Sequence, residues 1–320
     1  MDYRVFMTQF YRLLSNVSEN NEPFALGIIS DCRGSSPQKK GAKAIFFQDG
    51  RILGTIGGGC LEAEVQARAR AALVSGKPAI FDLLLDHDFG WDDGLICGGL
   101  VKVLILPNAF DAKNIWQKLA EVKSPISWGI DKNFNIKLIE TEEEGLLYQE
   151  IVFPQCNLWI AGAGHIARAV APMAVMLGFS VTVFDDRPSV ASPEFFPKEV
   201  SINVGDWNEM LSRNEFPDWH TFGLIITRGH RHDALVLKHW IHKPFSFLGM
   251  IGSRRKARII FDEFKQQSIA TEEILARVHC PVGLQIHSQT VPEIAVSIVA
   301  QLVQVRAEKV YGVRTEQCKK

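Results

Sequence analysis

The chain has 320 residues, of which 47% are hydrophobic and 22% are charged, and its formal net charge is −1. This composition is typical of a globular protein and excludes a disordered chain, while the length predicts two domains of ordinary size. A net charge near zero, without a long basic run, gives no electrostatic basis for nucleic-acid binding.

Targeting signals and cysteine spacing suggest where the protein resides. The N-terminus carries no signal-peptide pattern, and the longest apolar stretch, residues 169–184, is interrupted by Pro172 and Gly178. The six cysteines are scattered without a Cys-x-x-Cys pair, which argues against a structural zinc site and a disulfide scaffold. We therefore expect a cytoplasmic protein with no membrane span.

Residues 1–150 predict an N-terminal α/β domain. An amphipathic helix is predicted over residues 4–15, and a second helix, rich in strong helix formers, over residues 62–73. The predicted strands lie at residues 24–30, 44–47, 52–56, 79–85 and 100–106. Residues 108–150 predict a weaker helix and a β segment, after which we place the domain boundary.

The turn before the second of these helices carries Gly57, Gly58, Gly59 and Cys60. A helix N-terminus stabilises a thiolate, and glycines let the backbone approach whatever the sulfur contacts. The same pattern is equally typical of a tight turn with a small buried cysteine. Cys97, which precedes two glycines, is the second candidate thiolate.

Residues 151–320 alternate between strands and helices, which predicts a Rossmann-like parallel sheet with helices on both faces. The predicted strands lie at residues 157–161, 180–184, 201–203, 223–227 and 245–248. The predicted helices lie at residues 164–177, 234–241, 254–267, 271–277 and 291–308.

The first turn of this domain has the pattern Gly-x-Gly-x-x-Ala between a strand and a helix. Gly162 permits the tight turn, Gly164 lets the backbone approach a phosphate, and the helix that begins near His165 attracts its charge. Asp185 ends the next strand, where an acid accepts hydrogen bonds from a ribose. Arg187 leaves room for a 2′-phosphate, so NAD, NADP and a domain that binds neither remain alternatives.

A second polar loop, at residues 227–233, follows a later strand of the same sheet. Loops at the carboxyl ends of parallel strands face the ligand crevice, so His230 and Asp233 are candidate ligand contacts. The side chains of His230, His232 and Asp233 are also candidate metal ligands. Nothing comparable completes a coordination set, and Asp233 is equally suited to cap a helix that begins at residue 234.

Gly252, Ser253 and Arg254 follow the next strand and open a helix whose first turn is basic. Basic side chains match the helix dipole poorly there unless an anion binds, so a phosphate site and a solvated basic turn are both open. Glu293, by contrast, completes a capping box at the start of the last helix, so it is given a structural role.

Taken in order, these motifs resemble the XdhC/CoxI family, the accessory proteins of xanthine dehydrogenase, over nearly the whole chain. At Ala167, the last position of the glycine pattern that begins at Gly162, a third glycine is usual, so alanine is a mild departure. The resemblance rests on Gly34-Ser35-Ser36-Pro37, Gly54-Thr55-Ile56-Gly57-Gly58-Gly59-Cys60-Leu61-Glu62, Cys97-Gly98-Gly99, Gly162-Ala163-Gly164-His165, Asp185-Asp186-Arg187-Pro188, Thr227 with His230 and Asp233, Gly252-Ser253-Arg254-Arg255-Lys256, Pro281-Val282-Gly283-Leu284 and Pro292-Glu293-Ile294-Ala295-Val296-Ser297-Ile298.

The resemblance implies a protein that binds molybdenum cofactor (molybdopterin), assists its sulfuration with a cysteine desulfurase, and delivers it to a xanthine-dehydrogenase-type molybdoenzyme. It implies that Cys60, with Cys97, supplies thiolate near the molybdenum, Cys60 being the candidate metal contact. Gly162 and Gly164, or alternatively Ser253 and Arg254, hold the phosphate of the cofactor. We also expect a homodimer.

Two other functions remain open. An NAD(P)-dependent oxidoreductase would use the Rossmann-like domain for hydride transfer, and a nucleotide-sensing module would use the cysteines only for packing. The chain lacks the iron–sulfur cysteine cluster of a xanthine dehydrogenase, so the resemblance predicts a maturation factor rather than that enzyme.

Overall fold

The computed structural model describes residues 7–20, 22–34, 36, 38–85, 99–141, 143–213 and 215–312. The chain divides into two compact units, of which the first ends at Pro154 and the second begins at Gln155. A boundary at residue 150 would cut strand β8 (Tyr148–Val152), so the division follows that strand. Cys97 lies outside the described residues.

An antiparallel five-stranded sheet, in the order β3-β2-β1-β5-β4, forms the centre of the N-terminal unit. Its elements in chain order are α1 (Met7–Glu19), β1 (Phe24–Arg33), β2 (Lys43–Phe47), β3 (Ile52–Thr55), α2 (Gly59–Ser75), β4 (Ala79–Leu85) and β5 (Gly99–Leu106). A 3-10 helix (Ala109–Ala112), α3 (Lys113–Ala120), β6 (Ile126–Ile130) and β7 (Ile136–Ile139) follow, and β7, β6 and β8 form a second antiparallel sheet.

Helices cover both faces of the five-stranded sheet because side chains alternate along its strands. Ala25 and Ile29 of β1 join the core beneath α2, together with Val65 of that helix. Leu26 and Ile28 join a second core that contains buried residues of α1 and α3. Helix α2, whose first turn carries Cys60, is thereby packed on one face of the sheet.

A parallel six-stranded sheet, in the order β11-β10-β9-β12-β13-β14, forms the centre of the C-terminal unit. Its elements are β9 (Asn157–Ala161), α4 (His165–Met176), β10 (Ser180–Asp185), a 3-10 helix (Pro193–Phe195), β11 (Ser201–Val204), α5 (Trp207–Arg213), β12 (Thr221–Ile225), α6 (His230–Trp240), β13 (Phe247–Met250), α7 (Arg254–Gln266), α8 (Glu272–Leu275), β14 (Val278–His279) and α9 (Val291–Lys309). The predicted α/β fold class is confirmed.

The strand order places a topological switch point between β9 and β12. The chain moves outward through β10 and β11, returns to β12 on the other side of β9, and continues through β13. In open parallel sheets, ligands bind outside the carboxyl ends of the strands at such a point. The loops after β9, β10, β12 and β13 therefore border the crevice where a ligand is expected.

Both faces of β9 are buried. Trp159 and Ala161 join the core formed with α5, α6 and α7, and the alternating Leu158 and Ile160 are fully buried as well. Helix α4 packs against α9. None of the described helices is both long and apolar enough to span a membrane.

Candidate functional site

Helices α4, α6 and α7 begin at the carboxyl edge of the parallel sheet, as α5 does after β11. The residues that precede α4, α6 and α7 are Gly164, Gly229 and Ser253, and they follow β9, β12 and β13 respectively. Because these strands are parallel, the three helix N-termini lie at one edge, where their free N–H groups and dipoles favour an anion.

Gly162 is required by the packing of the turn after β9. Its φ is +110°, and an added Cβ would lie 2.4 Å from the backbone oxygen of Ile226. Its N–H donates to the Phe184 carbonyl at 2.7 Å. The turn is therefore held between the ends of β10 and β12, and the role predicted for Gly162, a tight turn, matches this geometry.

The buried Asp185 carboxylate stabilises this turn by accepting hydrogen bonds. Its Oδ2 accepts from the Ala163 N–H at 2.7 Å and from Arg187 at 2.8 Å, while Oδ1 accepts from the Arg187 backbone N–H and Nε at 3.0 and 2.8 Å. Burial raises the pKa of Asp185, but hydrogen bonds from Arg187 and Ala163 outweigh it, so the pKa lies below its usual value.

This arrangement differs from the ribose contact expected of Asp185. The side chain is 1% exposed and both oxygens already accept hydrogen bonds from the protein. Asp185 thus orients the glycine turn and Arg187, and it offers no free oxygen to a nucleotide.

Asp233 joins the loops after β12 and β13. Its side chain is fully buried, and Oδ1 accepts from the Thr227 N–H at 3.1 Å and from the Thr227 hydroxyl at 2.6 Å. Lys256 of α7 donates to Oδ2 of Asp233 and also to the Ile251 carbonyl, the latter at 3.2 Å. The alternative in which Asp233 caps a helix at residue 234 is wrong, because α6 begins at His230 behind Gly229.

Asp186, Arg228 and His232 form a second polar group at the same edge. The Arg228 guanidinium donates to Asp186 Oδ2 at 2.8 Å and lies 3.2 Å from His232 Nε2. His230 is exposed at the first residue of α6. Within the described residues, no group of three or more His, Cys, Asp or Glu side chains is arranged to hold a metal ion.

Ser253 caps α7, as its position in the sequence predicted. Its Oγ accepts from the Lys256 N–H at 3.3 Å, and Arg254 is exposed at the first residue of the helix. Gly252 has a φ of +148°, and an added Cβ would lie 2.7 Å from Lys256 Cδ. Both Gly252 and Ser253 therefore have roles within the protein.

Gly164 and Gly229 have no such internal role. Their φ values are −73° and −178°, which any residue adopts, and no atom of the described residues lies within 4 Å of a Cβ added to either. A glycine that is needed neither for its backbone conformation nor for internal packing indicates that something outside the chain approaches the backbone there. Two helix N-termini at the switch point are thus open to a ligand.

In the N-terminal unit, Cys60 lies in the first turn of α2 and is half-buried with a free thiol. Gly57, Gly58 and Gly59 have φ values of 134°, 71° and 57°, which favour glycine. Glu62 stabilises the turn, because its Oε2 accepts from the backbone N–H of residue 56 at 3.3 Å. Gly58, the residue before α2, makes no side-chain capping hydrogen bond to the helix.

Gly229, Arg228 and Lys256 were not selected from the sequence as contacts of a ligand. A signal for Gly229 is present, because the connection from β12 to α6 (Ile-Thr-Arg-Gly) ends in a glycine directly before the helix, as the connection from β9 to α4 (Gly-Ala-Gly) does. The role of Lys256 depends on a buried partner 23 residues earlier and leaves no local pattern.

Two family models match the chain. Residues 17–85 match the XdhC and CoxI family, and residues 158–302 match the XdhC Rossmann domain. Together these ranges cover more than half of the sequence. The chain belongs to the XdhC/CoxI family. The resemblance predicted from the motifs is thereby confirmed.

Named relatives and a solved structure agree with this assignment. An Escherichia coli (strain K12) protein described as "Uncharacterized protein YqeB" is 30% identical over 91% of this chain, which spans only 45% of that relative's length. "Molybdenum cofactor insertion chaperone PaoD" of the same organism is 24% identical over 87% of this chain and 82% of its own. A crystal structure described as a xanthine dehydrogenase from Bacillus halodurans has a TM-score of 0.80 at 26% identity, covering 97% of this chain and 98% of that one.

Proposed function

We propose that this XdhC/CoxI protein binds molybdenum cofactor as cargo and serves its sulfuration and insertion into a xanthine-dehydrogenase-type molybdoenzyme. The observation that carries the proposal is the open space at Gly164 and Gly229, where two helix N-termini are accessible. Molybdopterin ends in a phosphate, the kind of group that such termini bind. The relative named as a molybdenum cofactor insertion chaperone supports the choice of cargo.

The turn at Ser253 is the weaker of the two predicted phosphate sites. The Ser253 hydroxyl already accepts a hydrogen bond from the backbone N–H of Lys256. The Lys256 side chain also fills the space next to Gly252, so a ligand has no room there. Gly164, in contrast, lies beside the ordered turn that Gly162 and Asp185 hold. We therefore assign the phosphate to Gly164 and Gly229, and we give Arg254 no direct contact.

The thiol of Cys60 is the proposed group that contacts molybdenum or transiently carries sulfur. It is half-buried, forms no disulfide and lies in the first turn of α2. Thiolate is a soft ligand suited to such a metal centre. A matching role for Cys97, the cysteine desulfurase partner, the homodimer and the cytoplasmic location stay predictions.

The alternative, an NAD(P)-dependent oxidoreductase, gains no support from the site. The acid expected to bind ribose, Asp185, is buried and bonded to Ala163 and Arg187. NADH is nevertheless the appropriate competing ligand for a binding experiment.

The test is a titration of the ligand-free protein with molybdenum cofactor released from a purified molybdoenzyme under reducing conditions, in parallel with NADH. We expect cofactor binding that weakens about tenfold or more in the Gly164→Ala/Gly229→Ala double variant, because two methyl groups fill the space next to the phosphate. Gly205→Ala is the matched control, because its added Cβ would lie at an ordinary distance of 3.5 Å from the Met210 side chain. Equal binding by the double variant, or saturable binding of NADH alone, contradicts the proposal.

Cys60 is tested separately by loading the protein with cofactor and measuring activation of a cofactor-free partner enzyme. Cys60→Ser is expected to lower the activated fraction, whereas Cys32→Ser, which removes another half-buried thiol of the same unit, is expected to behave as the parent protein does. Equal activation by both variants would remove Cys60 from the proposal.

A further inference from the structure

We propose that Arg228 binds the phosphate of the cargo, and that in the free protein the Asp186 carboxylate occupies the place of that phosphate on its guanidinium. This inference rests on the proposed function, because it adds a residue and a regulating contact to the same site. Neither residue was assigned to ligand binding from the sequence.

The strand order gives the position of this ion pair. Asp186 follows β10 and Arg228 follows β12, and these two strands lie on either side of β9. Strands separated by one intervening strand lie about 10 Å apart. The Arg228–Asp186 contact of 2.8 Å therefore bridges the carboxyl end of β9, where the turn at Gly162 and Gly164 begins.

The same bridge lies at the start of α6. Arg228 immediately precedes Gly229, whose backbone is open to a ligand. A phosphate that approaches Gly164 and Gly229 thus arrives beside a guanidinium that is 45% exposed. Guanidinium binds phosphate through paired hydrogen bonds, and a phosphate carries more negative charge than one carboxylate.

When the Arg228 guanidinium leaves Asp186 to bind phosphate, two other side chains remain close to the Asp186 carboxylate. Arg187 Nε lies 3.9 Å from its Oδ1, and His232 Nε2 lies 3.9 Å from its Oδ2. Its side chain is also 23% exposed, so water can solvate the released carboxylate. The exchange therefore leaves no buried unpaired charge, which would otherwise oppose it.

Competition from Asp186 lowers the affinity for the phosphate. For a protein that must pass its cargo on, this contact favours release, because the carboxylate reoccupies Arg228 as the phosphate leaves. Removal of the Asp186 charge should consequently tighten binding, and the effect should require Arg228.

The experiment measures the dissociation constant of inorganic pyrophosphate for the full chain at low ionic strength by calorimetry. We expect Asp186→Asn to tighten binding about fivefold to tenfold and Arg228→Gln to weaken it about tenfold. In the Arg228→Gln background, Asp186→Asn should have less than about a twofold effect. Asp262→Asn removes one exposed carboxylate of α7 and serves as the charge control.

The inference is overturned if Asp186→Asn leaves binding unchanged or weakens it, or if it tightens binding equally with and without Arg228. Absence of measurable pyrophosphate binding in Asp186→Asn overturns it as well. A protein that binds molybdenum cofactor but shows no coupling between Asp186 and Arg228 retains the proposed function and refutes this inference. If pyrophosphate binding shows this coupling but the protein never binds the cofactor, the inference about Arg228 and Asp186 is supported and the proposed function is refuted.

Discussion

The same substitution, glycine to alanine, should have opposite effects on stability at two positions of the proposed site. Gly162 has a φ of +110°, and its added Cβ would lie within 3 Å of three backbone atoms of Ile226 and Thr227. Gly229 is extended, with φ at −178°, and in the part of the chain that the structure describes no atom lies within 4 Å of its added Cβ.

The magnitudes follow from these contacts. At Gly162, the left-handed backbone costs an alanine about 1–2 kcal/mol, and displacing the end of β12 adds about 1–3 kcal/mol, so we expect a loss of about 3 kcal/mol. At Gly229, the alanine restricts only the unfolded chain, so we expect a gain of about 0.5 kcal/mol.

Urea unfolding, followed by hydrogen exchange of the β9 and β12 amide groups, measures these changes within the C-terminal unit. If Gly229→Ala loses as much stability as Gly162→Ala, the backbone conformation or packing of the protein requires a glycine at residue 229. Its presence would then be no sign of a bound ligand. A stable Gly229→Ala variant with undiminished binding would remove Gly229 from the site.

Three further predictions concern stability. Asp233→Ala should lower the free energy of unfolding by about 3 kcal/mol, because Lys256 loses its buried carboxylate partner. The control Asp262→Ala, which removes an exposed carboxylate, should change urea unfolding little. Burial raises the pKa of Cys156 to about 12, so the folded state keeps a proton that the unfolded chain loses, and stability falls as pH rises from about 9 to about 12. Cys156→Ala should reduce that alkaline loss in urea unfolding at pH 8 and 10.5, and an unchanged slope would contradict the assignment. Glu293→Ala should lower the melting temperature by removing an acceptor of two backbone N–H groups ahead of α9, while pyrophosphate binding stays the same.

The alternation of strands and helices, the glycine turn after β9 and the capping box at α9 were predicted correctly because each has a local pattern. Gly162 sits between strand and helix at the expected spacing, and Glu293 lies three residues after Thr290. Such features depend on neighbouring residues, which the sequence displays directly.

Features that depend on which side-chain contacts form in the folded chain were not predicted. Asp185 is bonded inward because Arg187 and the Ala163 N–H meet it there, and Asp233 accepts from Thr227 instead of capping a helix. In the N-terminal unit, Lys43 is buried against Glu150, which lies 107 residues away. Charged residues predict an exposed surface unless the partner is known.

The strands of residues 126–152 were incompletely predicted for a different reason. β6, β7 and β8 contain only four or five residues each, and most of β7 is half-buried. Short strands with partial burial carry little periodicity, so one β segment was predicted where the structure has three strands.

Identification of the ligand that co-purifies with the protein from a molybdenum-replete host decides whether it carries molybdenum cofactor. Mass spectrometry and absorbance of the released ligand should show a molybdopterin, in an amount that falls in the Gly164→Ala/Gly229→Ala variant and not in Gly205→Ala. Release of NAD(P), or a molybdopterin content that is insensitive to both glycines, would contradict the account.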